Sequence, residues 1–403
     1  MSLGTPVRST SRAIWATRIV FAANGGLFAT WVSRLPAIRD RLDADERGLG
    51  FALLFIAVGS LIAMPLSSRL ITRSGERTVI GTCVVVCLFA YPALGLAPNL
   101  VVLAAVLLIL GAGVGVWDVA MNVAAHAVEE QAGRTLMPGF HACWSLGTVA
   151  GAGLGALAAK AEIPPAAHFA MGSVVVAVAA VFAIRHLPNA VDPAAADAVN
   201  QDTASGEHHV VARVGGPVIR DARLIGLGIM TFCAAWAEGA ANDWLALLLA
   251  DERAASGAAA AAGFAVFATA MTLGRIAGNS VVNRWGRVPV LRVGALVAGV
   301  GVVLLLAVPA LAAGYAGALL WGLGIAIAFP LAMSAAGETP GRGPAAIAMV
   351  ATIAYAGFLV GPPLIGTIAH ATGLDSALWV VVALVGGMFV LAGTAGPRRA
   401  VRG

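Results

Sequence analysis

Charged side chains are scarce in this chain of 403 residues. Only 11% of the residues are Asp, Glu, Lys or Arg, whereas 60% are hydrophobic, and the mean hydropathy is +0.90. A water-soluble globule cannot hide so much apolar surface, so this composition requires lipid as the solvent. Aromatic residues make up only 6%, and no stretch alternates with a period of two, which disfavours an outer-membrane barrel. We therefore predict an all-α integral membrane protein.

Cysteine pairs and nucleotide-binding motifs are also missing. The four cysteines, Cys83, Cys87, Cys143 and Cys233, all fall inside apolar runs, so we expect neither disulfides nor a metal site. There is no Gly-Lys-Ser/Thr phosphate loop, which argues against an ATP-driven pump, and no recognisable hydrolase triad. The first apolar run does not end in a small-residue cleavage site, so we expect it to stay in the membrane. We predict no cofactor, no metal and no catalytic residue.

Long apolar runs dominate the sequence. Each contains roughly 20 residues, and at about 1.5 Å per residue a helix of this length crosses a hydrocarbon core of about 30 Å. We predict twelve transmembrane helices. They cover residues 14–36, 48–70, 78–97, 100–126, 139–160, 166–187, 222–249, 259–282, 288–309, 314–336, 344–369 and 374–394.

Part of the sequence repeats after 211 residues. Phe21 matches Phe232, Arg73 and Gly75 match Arg284 and Gly286, and Gly111 and Gly113 match Gly322 and Gly324. Ordered internal repeats of this kind are found in many secondary transporters. The repeat predicts two pseudo-symmetric six-helix bundles, residues 1–190 and 222–403. Residues 191–221, rich in Pro, Asp, Ser and Gly, are predicted to be a cytoplasmic linker.

The positive charges follow the predicted topology. With the N-terminus in the cytoplasm, most arginines fall on the cytoplasmic side, and acidic residues dilute the few basic residues of the opposite loops. This is the positive-inside bias. We expect a multi-pass protein of a bacterial-type plasma (inner) membrane with both termini in the cytoplasm. The net charge of +5 is explained by topology and indicates no nucleic-acid partner.

Two short loops carry a family resemblance. SSRLITRSGERT, between the second and third spans, and NSVVNRWGRVPV, between the eighth and ninth, resemble the cytoplasmic signature loop of the major facilitator superfamily. Thr72 and Asn283 stand where that family usually has Asp. The resemblance implies a gating role for the loop residues, which are Arg73, Gly75, Arg77, Arg284, Gly286 and Arg287. The alternative is that the arginines are only positive-inside anchors that contact helix carbonyls or lipid phosphate.

Within that superfamily the chain resembles the fucose-permease-like branch over nearly its whole length. The matching stretches are FAANGGLFATWVSRLPAI, GAGVGVWDVAMNV, AEGAANDWL and YAGFLVGPPLIG. Known members are twelve-helix transporters, and the resemblance implies an essential acid at Asp118. The best-known members of this branch are proton-coupled sugar symporters, which also have an acid in the first span. Val32 stands at that position here, so a mechanism with two carboxylates does not transfer directly.

Acidic residues inside the spans are the candidates for proton coupling. A carboxylate near the bilayer centre costs a few kcal/mol, so Asp118 should face a wet cavity or a partner. Gly111, Gly115, Asp118 and Asn122 share one face of the fourth span. The alternative is a structural acid bonded to a neighbouring helix. Glu238 is the second coupling candidate, and Arg275, the intramembrane counter-charge, is expected to pair with one of the acids.

Polar and aromatic residues of the spans are the substrate-binding candidates. They are Asn24, Trp117, Asn122, His141, Ser145, Trp236, Asn242, Asp243 and Tyr355. His141 either lines the pathway or hydrogen-bonds near its cytoplasmic end, and Asp243 is expected at the mouth of the pathway. Trp31 and Trp244 are expected to be interfacial anchors. The ladder Gly147, Gly151 and Gly155 is expected between the two halves.

These features predict a secondary active transporter that moves a small solute by alternating access. Symport of a sugar-like or other small polar substrate with protons is favoured because the fifth span lacks the Gly-Pro motif of drug antiporters. Proton-driven efflux of a drug or metabolite is the alternative, and a sensor or membrane enzyme on the same fold is a third possibility. The expected partners are a small-molecule substrate, protons and membrane lipid, and the protein is expected to function as a monomer.

Overall fold

A computed structural model of the protein describes residues 6–133, 136–187, 220–340 and 343–396. Within these ranges the chain is helical and contains no strand. The α-helices are α1 (Pro6–Val32), α2 (Leu35–Leu42), α3 (Glu46–Leu96), α4 (Leu100–Ala132), α5 (Met137–Lys160), α6 (Pro165–Ile184), α7 (Ala222–Glu252), α8 (Gly257–Trp285), α9 (Arg287–Ala307), α10 (Leu311–Ile325), α11 (Ala328–Gly337), α12 (Gly343–Thr372), α13 (Leu374–Ala377) and α14 (Trp379–Leu391), followed by a 3₁₀ turn at Ala392–Ala395. The predicted all-α class is confirmed.

Eleven segments of the described residues are long and apolar enough to cross a membrane. They correspond to the second to twelfth predicted spans, with α3 supplying two of them. Helix α1 is 27 residues long but less apolar than these eleven segments, because Arg18 and Asn24 interrupt its apolar sequence. With α1 as the first span, the described residues contain the predicted twelve transmembrane spans.

The internal repeat is visible in the backbone. Helix α3 is interrupted at Gly75 (φ 74°, ψ 157°), and α8 and α9 meet at Gly286 (φ 80°, ψ 165°). This backbone region is essentially restricted to glycine. The described residues with positive φ include three pairs separated by 211 residues, which are Asp43 and Ala254, Gly75 and Gly286, and Glu162 and Gly373. The repeat therefore places unusual backbone conformations at equivalent points of the two halves.

The fold divides into two compact units. Among the described residues, the first unit (unit 1) contains α1 to α6, and the second (unit 2) contains most of α7 to α14, while residues 255–265 are grouped with the first. The predicted linker, 191–221, lies outside the described residues except for 220 and 221. The domain boundaries derived from the sequence stay a prediction.

Glycines bring helices of unit 1 close together. A Cβ atom at Gly147 would overlap the carbonyl of Ala22, and one at Gly151 would overlap the carbonyl of Gly26, so both glycines of α5 face α1. The ladder was expected between the two halves, and this expectation is wrong, because its glycines pack inside unit 1. In lipid, helices associate through close packing of small residues rather than through apolar burial, which explains the ladder's position.

Tryptophans near the ends of two spans are buried. Trp31 is 2% exposed and packs against Phe169 with ring centroids 6.1 Å apart, and Trp244 is 0% exposed. Both were expected to anchor the protein at the membrane interface, which requires an accessible ring. That expectation is wrong, because helix packing inside each unit encloses both side chains.

Candidate functional site

Asp118 lies in the second half of α4 and is half-buried. Four residues later, Asn122 donates from Nδ2 to the Asp118 backbone carbonyl at 2.8 Å and lies 3.4 Å from its Oδ1. Across the residues that the structure describes, no arginine or lysine forms an ion pair with Asp118. The carboxyl group therefore has a neutral amide beside it and no fixed counter-charge.

The glycines on the predicted Asp118 face have a packing role. A Cβ atom at Gly111 would overlap the Ile56 carbonyl, and Gly115 fits against Ser60 of α3. The Ser60 hydroxyl donates to the Gly111 carbonyl at 2.8 Å. Trp117, the stacking candidate beside Asp118, is 0% exposed in the core of unit 1, and its Nε1 has no described hydrogen-bond partner. The face of α4 that carries Gly111 and Gly115 thus serves α3–α4 packing.

Helices α1 and α5 hold an aromatic arrangement that we call the Trp144 platform, formed by Asn24, Phe28 and Trp144. The Trp144 Nε1 donates to the Asn24 Oδ1 at 2.9 Å. The Phe28 ring stacks on Trp144 with centroids 6.1 Å apart and 28° between the planes. Phe28 and Trp144 are half-buried, whereas Asn24 is buried. The hydrogen bond and the ring contact together fix the orientation of the indole.

Two further α5 candidates differ in exposure. The His141 ring is exposed and meets Phe21 edge-on at 5.3 Å, one turn before Trp144. Ser145 is buried, with 4% of its surface exposed. The His141 ring is thus at the surface of unit 1, whereas Ser145 has little exposed surface.

Glu238 and Arg275 form an ion pair in unit 2. The Arg275 Nη2 lies 3.1 Å from the Glu238 Oε1, with α8 supplying the arginine and α7 the acid. Their side chains are 32% and 23% exposed, respectively. A charge inside a span is costly unless it is paired, and this pair lets each residue offset the other.

Asp243 lies on α7 beside Asn242, and both are half-buried. Unlike Glu238, Asp243 takes part in no ion pair within the described parts of the chain. Trp236 is 7% exposed and packs against Gly361 of α12, so little of its ring is accessible. On α12, Tyr355 is 41% exposed, and its ring lies 6.4 Å from Phe358.

The signature loops end in arginines with different partners. Arg77 donates from Nε to the Leu187 carbonyl at 2.8 Å. Arg287 binds Glu338, with its Nη1 2.7 Å from Oε2, and its Nη2 donates to the Ser334 hydroxyl. The hydrogen bonds from Arg287 lower the pKa of the Glu338 carboxyl below its ordinary value. Arg284 lies over the Trp285 ring at 5.7 Å, and Arg73 is exposed.

The sequence did not predict Trp144, Phe28 or Glu338 as candidates. Trp144 precedes Ser145, which was selected for its spacing from His141, so the aromatic neighbour was passed over. The offset of 211 residues relates Trp144 to Tyr355 and was the available signal for Trp144. Glu338 follows the tenth span with no regular spacing from Arg287, so no local pattern indicated that pair.

Comparison with known proteins identifies the family. The profile of the Major Facilitator Superfamily matches residues 14–343 and 227–402. An uncharacterized MFS-type transporter of Yersinia pestis is 35% identical over 373 residues, which cover 92% of both chains. An uncharacterized transporter of Sinorhizobium fredii is 32% identical over 90% of this chain and 92% of its own length. The membrane protein MosC of Rhizobium meliloti is 29% identical, with 92% and 87% covered.

Solved structures support the same fold. The crystal structure of a mutant of the nucleoside transporter NupG superposes with a TM-score of 0.77 at 14% identity, covering 95% of this chain and 98% of that chain. A second NupG structure gives a TM-score of 0.74 at 13% identity. At this identity the likeness establishes the fold alone. The profile match and the relatives establish that the chain belongs to the major facilitator superfamily and is a multi-pass membrane transporter of a small solute rather than an enzyme.

Proposed function

We propose that the protein is a proton-coupled symporter of a sugar-like or other small polar solute and that Asp118 carries the proton. The observation that supports this is the contrast between the acids. Glu238 has a fixed arginine partner, whereas Asp118 has none in the described ranges. An acid that must gain and lose a proton in each cycle cannot keep a permanent counter-charge, because the charge would hold it ionised.

The surroundings of Asp118 suit reversible protonation. Asn122 offers an amide that can donate to the ionised form through Nδ2 and accept from the protonated form through its carbonyl oxygen. The neutral form is the less costly one within the hydrocarbon region. Proton release then requires a conformation in which water reaches the carboxyl group, as alternating access provides.

The Glu238–Arg275 pair is proposed to hold α7 and α8 in register and to take part in gating. Because the two charges offset each other, the pair adds little net charge to unit 2. We therefore assign proton coupling to Asp118 ahead of Glu238. Substrate contact by Glu238 would require part of the pair to open.

The Trp144 platform suits a solute with a ring. A planar aromatic face packs against the C–H face of a sugar or against another ring, and adjacent polar groups orient the ligand. His141, one turn away and exposed, can supply a hydrogen bond. Asn122, Asn242, Asp243 and Tyr355 remain proposed polar contacts. The NupG structures concern a nucleoside transporter, so nucleosides belong in the substrate screen beside sugars.

The location is proposed from charge and ancestry. The positive-inside bias supports cytoplasmic positions for both termini, and the relatives come from bacteria, which supports an inner membrane. We further propose that residues 1–190 and 222–403 are the two bundles, that residues 191–221 join them, and that the monomer is the functional unit.

The test is transport by purified protein in sealed proteoliposomes. A library of sugars, nucleosides and other small polar solutes is screened with an inward proton gradient, and the accumulated solute is then used with Asp118→Asn. Asp118→Asn should abolish uphill accumulation but retain counterflow exchange, because exchange needs no net proton movement. Glu130→Gln, an exposed acid on the same helix, is the matched control and should transport normally.

Three outcomes would contradict the proposal. Concentrative uptake by Asp118→Asn would show that Asp118 does not carry the coupled proton. If accumulation depends on a sodium gradient and not on a proton gradient, the coupling ion is not the proton. Proton entry driving solute out of the vesicles would replace symport by efflux antiport.

A further inference from the structure

Arg34 is a buried cation with no acidic partner among the residues that the structure describes. It precedes α2, is only 5% exposed, and donates from Nη2 to the Ile163 carbonyl oxygen at 2.7 Å. Its Nη1 is also buried but has no hydrogen-bond partner among the described residues. Because a buried guanidinium has lost its hydration, leaving it without negative charge nearby is costly.

His168 provides a second unused nitrogen in the same region. It lies in the first turns of α6, is 6% exposed, and its Nδ1 is buried without a partner in the described structure. Gly155 relates the two residues. A Cβ atom built on Gly155 would lie 3.7 Å from the His168 Cε1 and would overlap the hydroxyl of Ser33, the residue before Arg34. The Arg34 guanidinium, held at the Ile163 carbonyl, and the His168 ring therefore both lie at the start of α6.

The groups at this point all favour negative charge. Arg34 is always protonated, and a neutral His168 can donate from Nδ1. The N-terminus of α6, which begins at Pro165, adds the partial positive charge of the helix dipole. Glu162, the acid nearest to His168 along the chain, is exposed, and within the described ranges neither Glu162 nor Asp40 forms an ion pair with Arg34. A ligand enclosed here must accept hydrogen bonds and carry negative charge.

Unit 2 also contains a buried arginine, and this one is paired with a carboxylate. Arg253, whose side chain is 2% exposed, lies 3.2 Å from Asp375 and donates to the Leu305 carbonyl. Asp375 stands in the first turn of α13, at the start of the last span of its unit. The residue 211 positions earlier is Pro164, at the start of α6. Arg34 has Leu245 as its counterpart at the same offset, so a buried arginine at this point is particular to unit 1.

We propose that unit 1 binds a small inorganic anion, of the size of chloride, between the Arg34 guanidinium and the His168 imidazole. The anion supplies the negative charge that Arg34 lacks among the described residues, and it joins the α1–α2 connection to the start of α6. A small ion is required because both unpartnered nitrogens are shielded from solvent.

The test measures the melting temperature of the purified full-length protein in sodium chloride and in sodium gluconate at equal ionic strength. Chloride should raise the melting temperature saturably, by about 2 °C or more, because it binds the folded state. Arg34→Gln should lower the melting temperature and abolish the chloride effect. Arg41→Gln is the matched control, since Arg41 also bonds loop carbonyls, at 2.7 Å to Ala97, and it should keep the chloride effect.

A second measurement needs no variant. Crystals of the native protein soaked in bromide should show an anomalous peak within contact distance of Arg34 and His168. An equal melting temperature in both salts, an unchanged chloride effect in Arg34→Gln, or density at the site without an anomalous peak would each overturn the proposal. The last result would indicate an ordered water.

Discussion

At the scale of single residues, the acids inside the spans differ in what neutralises them. The Glu238 carboxylate meets the Arg275 guanidinium at 3.1 Å, whereas the Asp118 carboxyl meets the Asn122 amide. Removing one member of an ion pair leaves a charge without compensation, whereas removing both leaves none. Stability measurements can therefore establish whether the pair is coupled before any substrate is known.

We predict that Glu238→Gln and Arg275→Gln each lower the melting temperature. The loss of stability in the double variant should be smaller than the sum of the two single losses. Each single substitution should lower the free energy of unfolding by less than the ~3–5 kcal/mol that breaking a fully buried pair costs, because the Glu238 and Arg275 side chains are 23% and 32% exposed. Thermal unfolding in detergent measures all three variants against the native protein. Strictly additive losses would show that the two charges do not interact.

A second prediction concerns Trp144. Trp144→Ala should raise the apparent dissociation constant of the solute found in the screen by about tenfold, equivalent to about 1.4 kcal/mol. Trp144→Phe keeps a ring but loses the hydrogen bond to Asn24, so its effect should be intermediate. Trp379→Ala, an exposed tryptophan on α14, should leave binding unchanged. Equal affinity of Trp144→Ala and the native protein would remove the platform from the binding site.

Sequence reasoning was weakest at this scale. Asn24 was selected as a polar residue of a matching stretch, but its partner Trp144 lies 120 residues away on another helix. The pairing depends on which face of α5 meets α1, and the glycine contacts determine that face. Hydropathy is insensitive to helix rotation, and the buried positions of Trp31 and Trp244 were mispredicted for the same reason.

At the scale of helices, close backbone contacts determine the packing. Gly25 and Gly26 on α1 face Trp144, Gly147 and Gly151 on α5, so the two backbones touch without intervening side chains. The spans themselves were predictable, because an apolar run of about 20 residues leaves little choice in lipid. The helix that contacts the glycine ladder was not predictable, because small residues indicate a close contact but do not identify the other helix.

Two glycines of α5 give a matched test of this packing. Gly151→Ala would place a Cβ atom against the Gly26 carbonyl, and overpacking of this kind costs about 1–3 kcal/mol. Gly153→Ala, two residues away, meets nothing within 4 Å and should be neutral or slightly stabilising through better helix propensity. Melting temperatures of the two variants provide the comparison. A loss in Gly153→Ala as large as in Gly151→Ala would mean that α5 needs flexibility rather than contact with α1.

At the scale of the whole molecule, the repeat carried most of the predictive power. An offset found from Phe21, Gly75 and Gly111 also relates positions whose importance the sequence did not reveal, including Asp43 and Ala254 with φ of 49° and 48°. Backbone geometry at loops is inherited by both halves, because the same helical unit must turn at the same points. Side-chain chemistry is not inherited in this way. Asp375 pairs with Arg253, whereas Pro164 at the equivalent position has no charge.

The repeat and the charge bias together predict the orientation in the membrane. Ser74, beside Gly75, should face the cytoplasm, and Glu162 should face the opposite side. Ser74 follows the second predicted span and Glu162 follows the fifth, so an odd number of spans separates them. Both residues are exposed, whereas the native cysteines are buried or half-buried, so introduced thiols should dominate the labelling. In intact cells, a membrane-impermeant maleimide should label Glu162→Cys directly and Ser74→Cys only after permeabilisation, with the native protein as the unlabelled control. The reverse pattern would invert the topology, and labelling of both thiols in intact cells would contradict an odd number of spans between them.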